Sequence, residues 1–336
     1  MISNKYIYLY GNCTVVKGFS QSIICDLQRR NYEIIPNSLY EIIINLNEER
    51  NLSTLRDKFI NESEIFDSYI EFLVENDFIY IDNELHDRFK EIDFSKFDIP
   101  FIISNAVIDF SGKYEKEYLK KVVIELDELR CEAVEFRIFN EISEVDFKKI
   151  LDYFDLTGIR CINLVVKYSR YMEESFFEWI ENNCKRVREI TLFNYPKNLK
   201  IRKLLFPIYF LDLENFNETC CGFVSPKTFS VNIQSFTESL KFNSCLYKKI
   251  GIDQYGNIKN CPSMENSYGN IKNLKISNAI TQKDFSKYNL INKDQIEVCK
   301  DCEFRYICTD CRAYLDNQFS KPKKCSYNPY EGIWKN

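Results

Sequence analysis

The chain has 336 residues, more than the usual single domain of about 100 to 150, so two or three domains are expected. Its composition is 45% hydrophobic and 28% charged, with only 9 Gly and 8 Pro, which excludes a disordered, collagen-like or low-complexity chain. The formal charge is -5 and no basic block occurs, so we expect no nucleic-acid partner.

The cysteine content, taken with the expected cellular compartment, indicates which kind of site the chain contains. The apolar stretch at the N-terminus is shorter than a signal-peptide core, and no run approaches the roughly 18 apolar residues of a membrane span, so a cytoplasmic protein without a membrane partner is expected. Thiols stay reduced there, and the chain has 14 cysteines but only one histidine, His86. This combination predicts a metal site held by thiolates.

The first part of the chain shows strands followed by helices. Three short extended stretches precede a helical series that begins near residue 36, and a last apolar stretch follows at 78–81. Phe66, Ile70 and Leu73 are spaced by four and three residues, which marks one apolar helix face. This order is typical of a small winged-helix domain, assigned to residues 1–90.

A regular alternation follows a polar linker. Apolar strand patterns at 100–110, 133–139, 161–168 and 188–193 are separated by helical patterns at 115–130, 144–154 and 173–184. Parallel strands need crossovers of about a dozen residues, so the alternation predicts βαβ units in an α/β domain, residues 98–240. A fifth strand is expected at 229–236, giving an incomplete barrel or a short open sheet.

The last part, residues 241–336, is rich in cysteine and poor in regular patterns. Two CxxC pairs lie five residues apart, and three more cysteines flank them; the seven are Cys245, Cys261, Cys299, Cys302, Cys308, Cys311 and Cys325. Zinc ribbons usually separate their pairs by a dozen or more residues. Seven thiols divide as four plus three, which favours two iron–sulfur clusters, with zinc at the two CxxC pairs as the alternative.

This pattern resembles the SPASM domain, the auxiliary-cluster extension of radical SAM enzymes that modify peptides and proteins. Cys245-x10-Gly256-x4-Cys261 and the run from Cys299 carry the resemblance, with one departure: two residues rather than three separate Cys308 from Cys311. The resemblance implies one [4Fe–4S] cluster on Cys299, Cys302, Cys308 and Cys325. It implies a second on Cys245, Cys261 and Cys311, whose fourth position is either open, filled by a ligand other than cysteine, or filled by Cys220 or Cys221.

The triplet that would bind S-adenosylmethionine is missing. Radical SAM enzymes use C-x3-C-x2-C after the first barrel strand, and the matching stretch here, 100–110, has no cysteine. We therefore interpret the middle domain as a degenerate, radical-SAM-like βα barrel and expect neither bound SAM nor ordinary SAM cleavage.

Residues 12–18, 23–29 and 35–42, together with the seven cysteines, resemble the grasp-with-spasm system SPASM domain peptide maturases. The resemblance implies a pathway for ribosomally synthesised, post-translationally modified peptides (RiPPs), with a precursor peptide and an ATP-grasp ligase as partners. Three roles stay open: a redox or Lewis-acid peptide-modifying enzyme, a non-catalytic adaptor with structural clusters, and a zinc-stabilised peptide-binding protein.

The first domain also resembles a RiPP recognition element, which receives a leader peptide. Such a module offers an unpaired strand edge to which a peptide adds, with its side chains resting on the last helix. The expected peptide-binding residues are Ser22, Ile23, Ile24, Cys25, Asp26, Phe66, Ile70 and Leu73. The alternative is a winged helix that serves only as a packing or dimer surface.

Overall fold

A computed structural model of the chain describes residues 5–46, 48–86, 92–97 and 100–335. The boundaries expected at residues 90 and 98 lie outside the described residues. The boundary expected at 240 falls at the end of a helix, one residue before its last position, Lys241.

Within its described residues, the N-terminal part contains five strands and three α-helices. They are β1 (Tyr6–Leu9), β2 (Cys13–Lys17), β3 (Ser22–Asp26), β4 (Asn31–Ile35), α1 (Asn37–Asn45), α2 (Leu52–Lys58), α3 (Ser63–Glu75) and β5 (Ile79–Asp82). β1 pairs with β5, and β2, β3 and β4 form a three-stranded antiparallel sheet. The predicted order of strands, three helices and a strand is present, with β4 as an unpredicted addition.

The presence of β4 overturns the expected peptide edge. β3 pairs with β2 on one side and β4 on the other, so it is the central strand and has no free edge. The expected binding residues on it and on α3 all lie inside the protein, between 0% and 8% exposed: Ser22, Ile23, Ile24, Cys25, Asp26, Phe66, Ile70 and Leu73. The expectation that these residues face an incoming peptide is wrong, because they form the core.

The middle part is the predicted parallel βα unit. Its elements are β6 (Asn105–Phe110), α4 (Lys116–Glu128), β7 (Ala133–Ile138), α5 (Glu144–Asp152), β8 (Cys161–Lys167), α6 (Glu174–Asn183), β9 (Val187–Phe193) and β10 (Ile208–Leu211). Strands β6 to β10 are parallel neighbours in chain order. The longest helices, α3 and α4, have 13 residues each, and no helix in the described ranges meets the length and hydropathy that a bilayer crossing requires.

The fifth strand is not where the sequence pattern placed it. Residues 229–236 run into a helix, α7 (Ile233–Lys241), which begins where the Asn232 side chain accepts a hydrogen bond from the Ser235 backbone N–H at 2.9 Å. The alternation of Phe229, Val231 and Ile233 resembles a strand, but the asparagine cap starts a helix there. The strand that extends the sheet is β10.

The cysteine-rich part contributes strands to the same sheet. Its elements are β11 (Lys249–Ile252), β12 (Ile258–Lys259), α8 (Ile276–Ile280), β13 (Tyr327–Asn328) and β14 (Ile333–Trp334). β11 pairs parallel to β6, and β12 pairs antiparallel to β11, which gives a seven-stranded sheet in the order β10-β9-β8-β7-β6-β11-β12. The middle and cysteine-rich parts are therefore joined through backbone pairing.

The N-terminal sheet is covered on both faces. On one face, Ile24 and Ile35 pack into a core with α1 to α3. On the other face, Ile23 and Cys25 share a core with Phe304 and Cys308 of the cysteine-rich part. The N-terminal domain and the run of clustered cysteines therefore bury apolar surface against each other.

The turn between β2 and β3 is fixed to the same cysteine run. The backbone N–H of Phe19 donates to the Asp301 carbonyl at 2.9 Å, and Arg305 donates to the Lys17 carbonyl at 2.6 Å. The Gln21 side chain donates to Glu303 Oε1 at 2.7 Å. Hydrogen bonds thus connect this hairpin turn to the segment between Cys299 and Cys308.

Gly18 in this turn gives a stability test. A Cβ there would lie 2.4 Å from the Gln21 carbonyl oxygen and 2.8 Å from Glu303 Oε2, so Gly18→Ala should lower the free energy of unfolding by about 1–3 kcal/mol. In the control Gly158→Ala, the Cβ meets only Asp127 Oδ1, at 3.1 Å, and the change should stay within about 1 kcal/mol. Urea denaturation measures both, and equal effects would contradict the docking of the turn.

Candidate metal centres

The first CxxC pair sits on a tight turn. Cys299–Asp301 forms a 3-10 turn, and the Cys302 backbone N–H donates to the Cys299 carbonyl at 3.0 Å. Val298, directly before it, has φ +67°, a left-handed conformation that a β-branched side chain rarely adopts. Such strain occurs where surrounding structure holds a segment in place, often at functional sites.

Four thiols surround one cavity. We call Cys299, Cys302, Cys308 and Cys325 the first thiol group, because all four line the same narrow space, of about 20 Å³. Cys325 reaches it from a separate loop, in which its backbone N–H donates to the Pro322 carbonyl at 3.0 Å. The fold thus brings together the four residues that the sequence pattern grouped; their role as metal ligands stays a prediction.

A buried lysine accompanies this group. Lys293 is 4% exposed, and its Nζ donates to Cys308 Sγ at 2.9 Å and to the Thr309 carbonyl at 3.3 Å. Burial opposes its charged form, but the nearby Cys308 thiol and Asp310 carboxylate together raise the pKa of Lys293 above its ordinary value. A cation at this position offsets the negative charge that thiolate ligands would bring into the core.

Burial opposes ionisation of two thiols of the first thiol group. Burial raises the pKa of Cys299 to about 12, with Lys293 opposing the shift, and burial also raises the pKa of Cys308. Metal ligation needs thiolates, so binding here must release protons. The metal–sulfur bonds would supply the free energy needed to remove those protons.

A second set of thiols lies beside β11. We call Cys221, Cys245, Cys261 and Cys311 the second thiol group. Burial raises the pKa of Cys245 to about 12; Lys249 opposes this shift, and the other three thiols of the group add to it. Lys249 Nζ lies within hydrogen-bond reach of Cys245 Sγ, at 3.8 Å. Each thiol group therefore has its own lysine.

The sequence missed parts of both groups. Nothing in the cysteine spacing pointed to Lys249 or Lys293, because their proximity to sulfur depends on the tertiary fold. The sequence offers Cys220 and Cys221 as equal candidates, although the glycine after Cys221 is an available signal. Gly222 adopts φ +86°, which favours glycine, as it passes Cys311.

The donor sets suit a metal cluster chemically. Within the described ranges, no three or more His, Cys, Asp or Glu side chains are arranged to hold a metal ion. The first thiol group instead surrounds a space, and it offers thiols only, the ligands that [4Fe–4S] clusters take and that structural zinc also accepts. The donor atoms of the first thiol group therefore suit either a [4Fe–4S] cluster or a zinc ion.

No family model matches the chain, and no curated protein matches it in sequence. Among solved structures, it is similar to the crystal structure of Streptococcus suis SuiB bound to S-adenosylmethionine, with 10% identity, 95% of this chain and 100% of that chain covered, and a TM-score of 0.35. A score this low establishes no shared fold.

Loss of one thiol from the first group should release both metal and structure. We expect Cys308→Ala to lose about four irons per anaerobically reconstituted chain and to expose the segment around it to trypsin, because a bound cluster contributes folding free energy. The matched control is Cys131→Ala, another buried cysteine that belongs to neither thiol group. Equal iron content and equal cleavage in the two variants would show that Cys308 is not a ligand.

Proposed function

We propose that this protein acts in the maturation of a ribosomally synthesised, post-translationally modified peptide. It binds the precursor peptide through its N-terminal domain, carries two [4Fe–4S] clusters and acts with an ATP-grasp ligase. The observation that carries the proposal is the convergence of Cys299, Cys302, Cys308 and Cys325 on one cavity, directly behind the N-terminal sheet. The sequence resemblance to SPASM peptide maturases supports the pathway and the partners.

Strand β4 is the edge to which a precursor peptide adds. No strand in the described ranges pairs with its outer side, and three of its five residues, Asn31, Glu33 and Ile34, are exposed. The opposite edge strand, β2, is flanked by α1 and by Ile92 and Phe94. An unpaired edge offers backbone donors and acceptors, so an extended leader peptide gains main-chain hydrogen bonds there.

A cleft at the carboxyl ends of the parallel strands would receive the part of the peptide to be modified. Its volume is about 410 Å³, and its lining includes residues that follow β6, β7 and β10 or end β8: Ser111, Asn140, Glu214 and Lys167 among them. Crevices at this end of open α/β sheets are the usual ligand sites. Amide, ammonium and carboxylate groups here match the polar atoms of a peptide.

The buried Asp109–Arg137 ion pair holds the interior face of the sheet in position. Arg137 donates to Asp109 through Nε at 2.6 Å and through Nη2 at 2.9 Å, and both side chains are buried. Burial raises the pKa of Asp109 to about 6, and Arg137 opposes this shift. The pair connects β6 to β7 and fixes the strand ends from which the cleft residues project.

Bound clusters would supply electron transfer, and Lewis acidity only at an iron that no thiolate ligates. The chain itself provides the thiols, and it provides Lys293 and Lys249 as fixed positive charges beside Cys308 and Cys245. These lysines favour the reduced, more negative state of a cluster near them.

A second candidate function is an adaptor that presents the peptide to the ligase while its clusters serve only as structural cross-links. One observation favours it: Cys308 belongs to the same core as Ile23 and Cys25 of the N-terminal sheet. A cluster at that position stabilises the peptide-binding domain whether or not it takes part in chemistry.

Substitution of the exposed Ile34 tests the proposal. Ile34→Asp removes apolar contact and adds a charge beside the added strand, so it should weaken binding of the fluorescently labelled precursor peptide about tenfold, or 1.4 kcal/mol, and lower product formation with the ligase. Val145→Asp, on the exposed side of α5, is the matched control and should change neither. Identical affinities of the two variants would place the peptide elsewhere.

The same assay separates the enzyme from the adaptor. A folded chain with its seven motif cysteines changed to alanine, if it still supports full product formation, identifies an adaptor. Full product from ligase and precursor alone would contradict both candidate functions.

A further inference from the structure

The chain before Gly222 forms a short turn that is anchored on the second thiol group. Residues Glu218–Cys220 make a 3-10 turn. The Glu218 carbonyl accepts hydrogen bonds from Ser263 Oγ at 2.7 Å and from Tyr314 Oη at 3.1 Å. Ser263 follows Cys261 by two positions and Tyr314 follows Cys311 by three. The two segments that carry Cys261 and Cys311 therefore hold this turn in place.

The backbone of Cys221 is also held directly. Lys324 Nζ donates to the Cys221 carbonyl at 2.8 Å and also contacts the Thr219 carbonyl. Lys324 immediately precedes Cys325 of the first thiol group. Three separate segments of the cysteine-rich part, at Ser263, Tyr314 and Lys324, therefore hold this turn in place. The turn itself precedes the cysteine-rich part in the chain.

Gly222 shows how closely this turn approaches sulfur. A Cβ at Gly222 would lie 2.7 Å from Cys311 Sγ and 3.4 Å from Cys311 Cβ, and the residue has φ +86°. Only glycine combines that conformation with that proximity. The chain therefore passes in contact with Cys311 at the residue directly after Cys221.

Electrostatic neighbours distinguish Cys221 from Cys220. The Cys221 thiol is an electrostatic neighbour of the Cys245 and Cys311 thiols, and the Cys261 thiol is an electrostatic neighbour of Cys221. Among the described residues, Cys220 is not one of the neighbours named for these thiols. These neighbours, together with the close approach of Gly222 to Cys311, assign Cys221 to the second thiol group, and nothing in the described ranges assigns Cys220 to it.

The geometry points to Cys221 as the fourth ligand of the cluster at Cys245, Cys261 and Cys311. This inference rests on the proposed function, in which that cluster is a [4Fe–4S] centre. Four irons then have four thiolates, each formed by loss of a proton, and no iron of this cluster stays open to bind a substrate. The second cluster is consequently suited to electron transfer or cross-linking and not to Lewis-acid binding of peptide.

Thiol alkylation of the unaltered chain tests this assignment without any substitution. The anaerobically reconstituted full chain is treated with iodoacetamide, and each cysteine is quantified by mass spectrometry before and after metal removal with a chelator. We expect Cys221 to be protected to the same degree as Cys245, Cys261 and Cys311, and Cys220 to react at least about tenfold faster. Equal reactivity of Cys220 and Cys221 in the loaded chain would overturn the inference.

A matched pair of variants gives a spectroscopic readout. Cys221→Ala leaves three thiolates, so mild oxidation with ferricyanide should release one iron and produce the electron paramagnetic resonance signal of a [3Fe–4S] centre, whereas Cys220→Ala should behave as the unaltered chain. The signal in Cys220→Ala instead, or in neither variant, overturns the assignment. Absence of iron and sulfide from the unaltered reconstituted chain overturns the proposed clusters themselves, which separates the two failures.

Discussion

The burial of many thiols near one another is the constraint on which the rest of this structure depends. Four cysteines can lie together in a core as neutral thiols, but as metal ligands they bring negative charge that burial disfavours. Lys293 beside Cys308 and Lys249 beside Cys245 place one cation at each group. A protein that only needed small apolar core residues at these positions would gain nothing from buried lysines, since each costs desolvation free energy.

The same constraint explains why the three parts of the chain are interlocked. The cysteine-rich part has few regular elements of its own, and it obtains support by adding β11 and β12 to the middle sheet and by packing on the N-terminal sheet. The β2–β3 turn is hydrogen-bonded to the run between Cys299 and Cys308. The first thiol group therefore packs directly against the domain that would hold a peptide.

Sequence periodicity was sufficient for the elements that bury one face. The strands and helices from β6 to β9 follow periods of two and 3.6, so their order and parallel pairing could be predicted. β4 was missed because an edge strand exposes most of its residues and so lacks a continuous apolar pattern. The resemblance to the SPASM domain grouped Cys299, Cys302, Cys308 and Cys325, although Cys325 lies on a separate loop. It could not place Cys221, because that residue reaches its group only once β11 has joined β6 and the loops at the sheet's edge have closed.

The central claim is that these thiols bind iron and sulfide, and an anaerobic elemental analysis of the purified, reconstituted chain tests it most directly. Two [4Fe–4S] clusters require about eight irons and about eight acid-labile sulfides per chain. A chain that binds about one zinc, with neither iron nor sulfide after reconstitution, would contradict the account and leave a zinc-stabilised protein in its place.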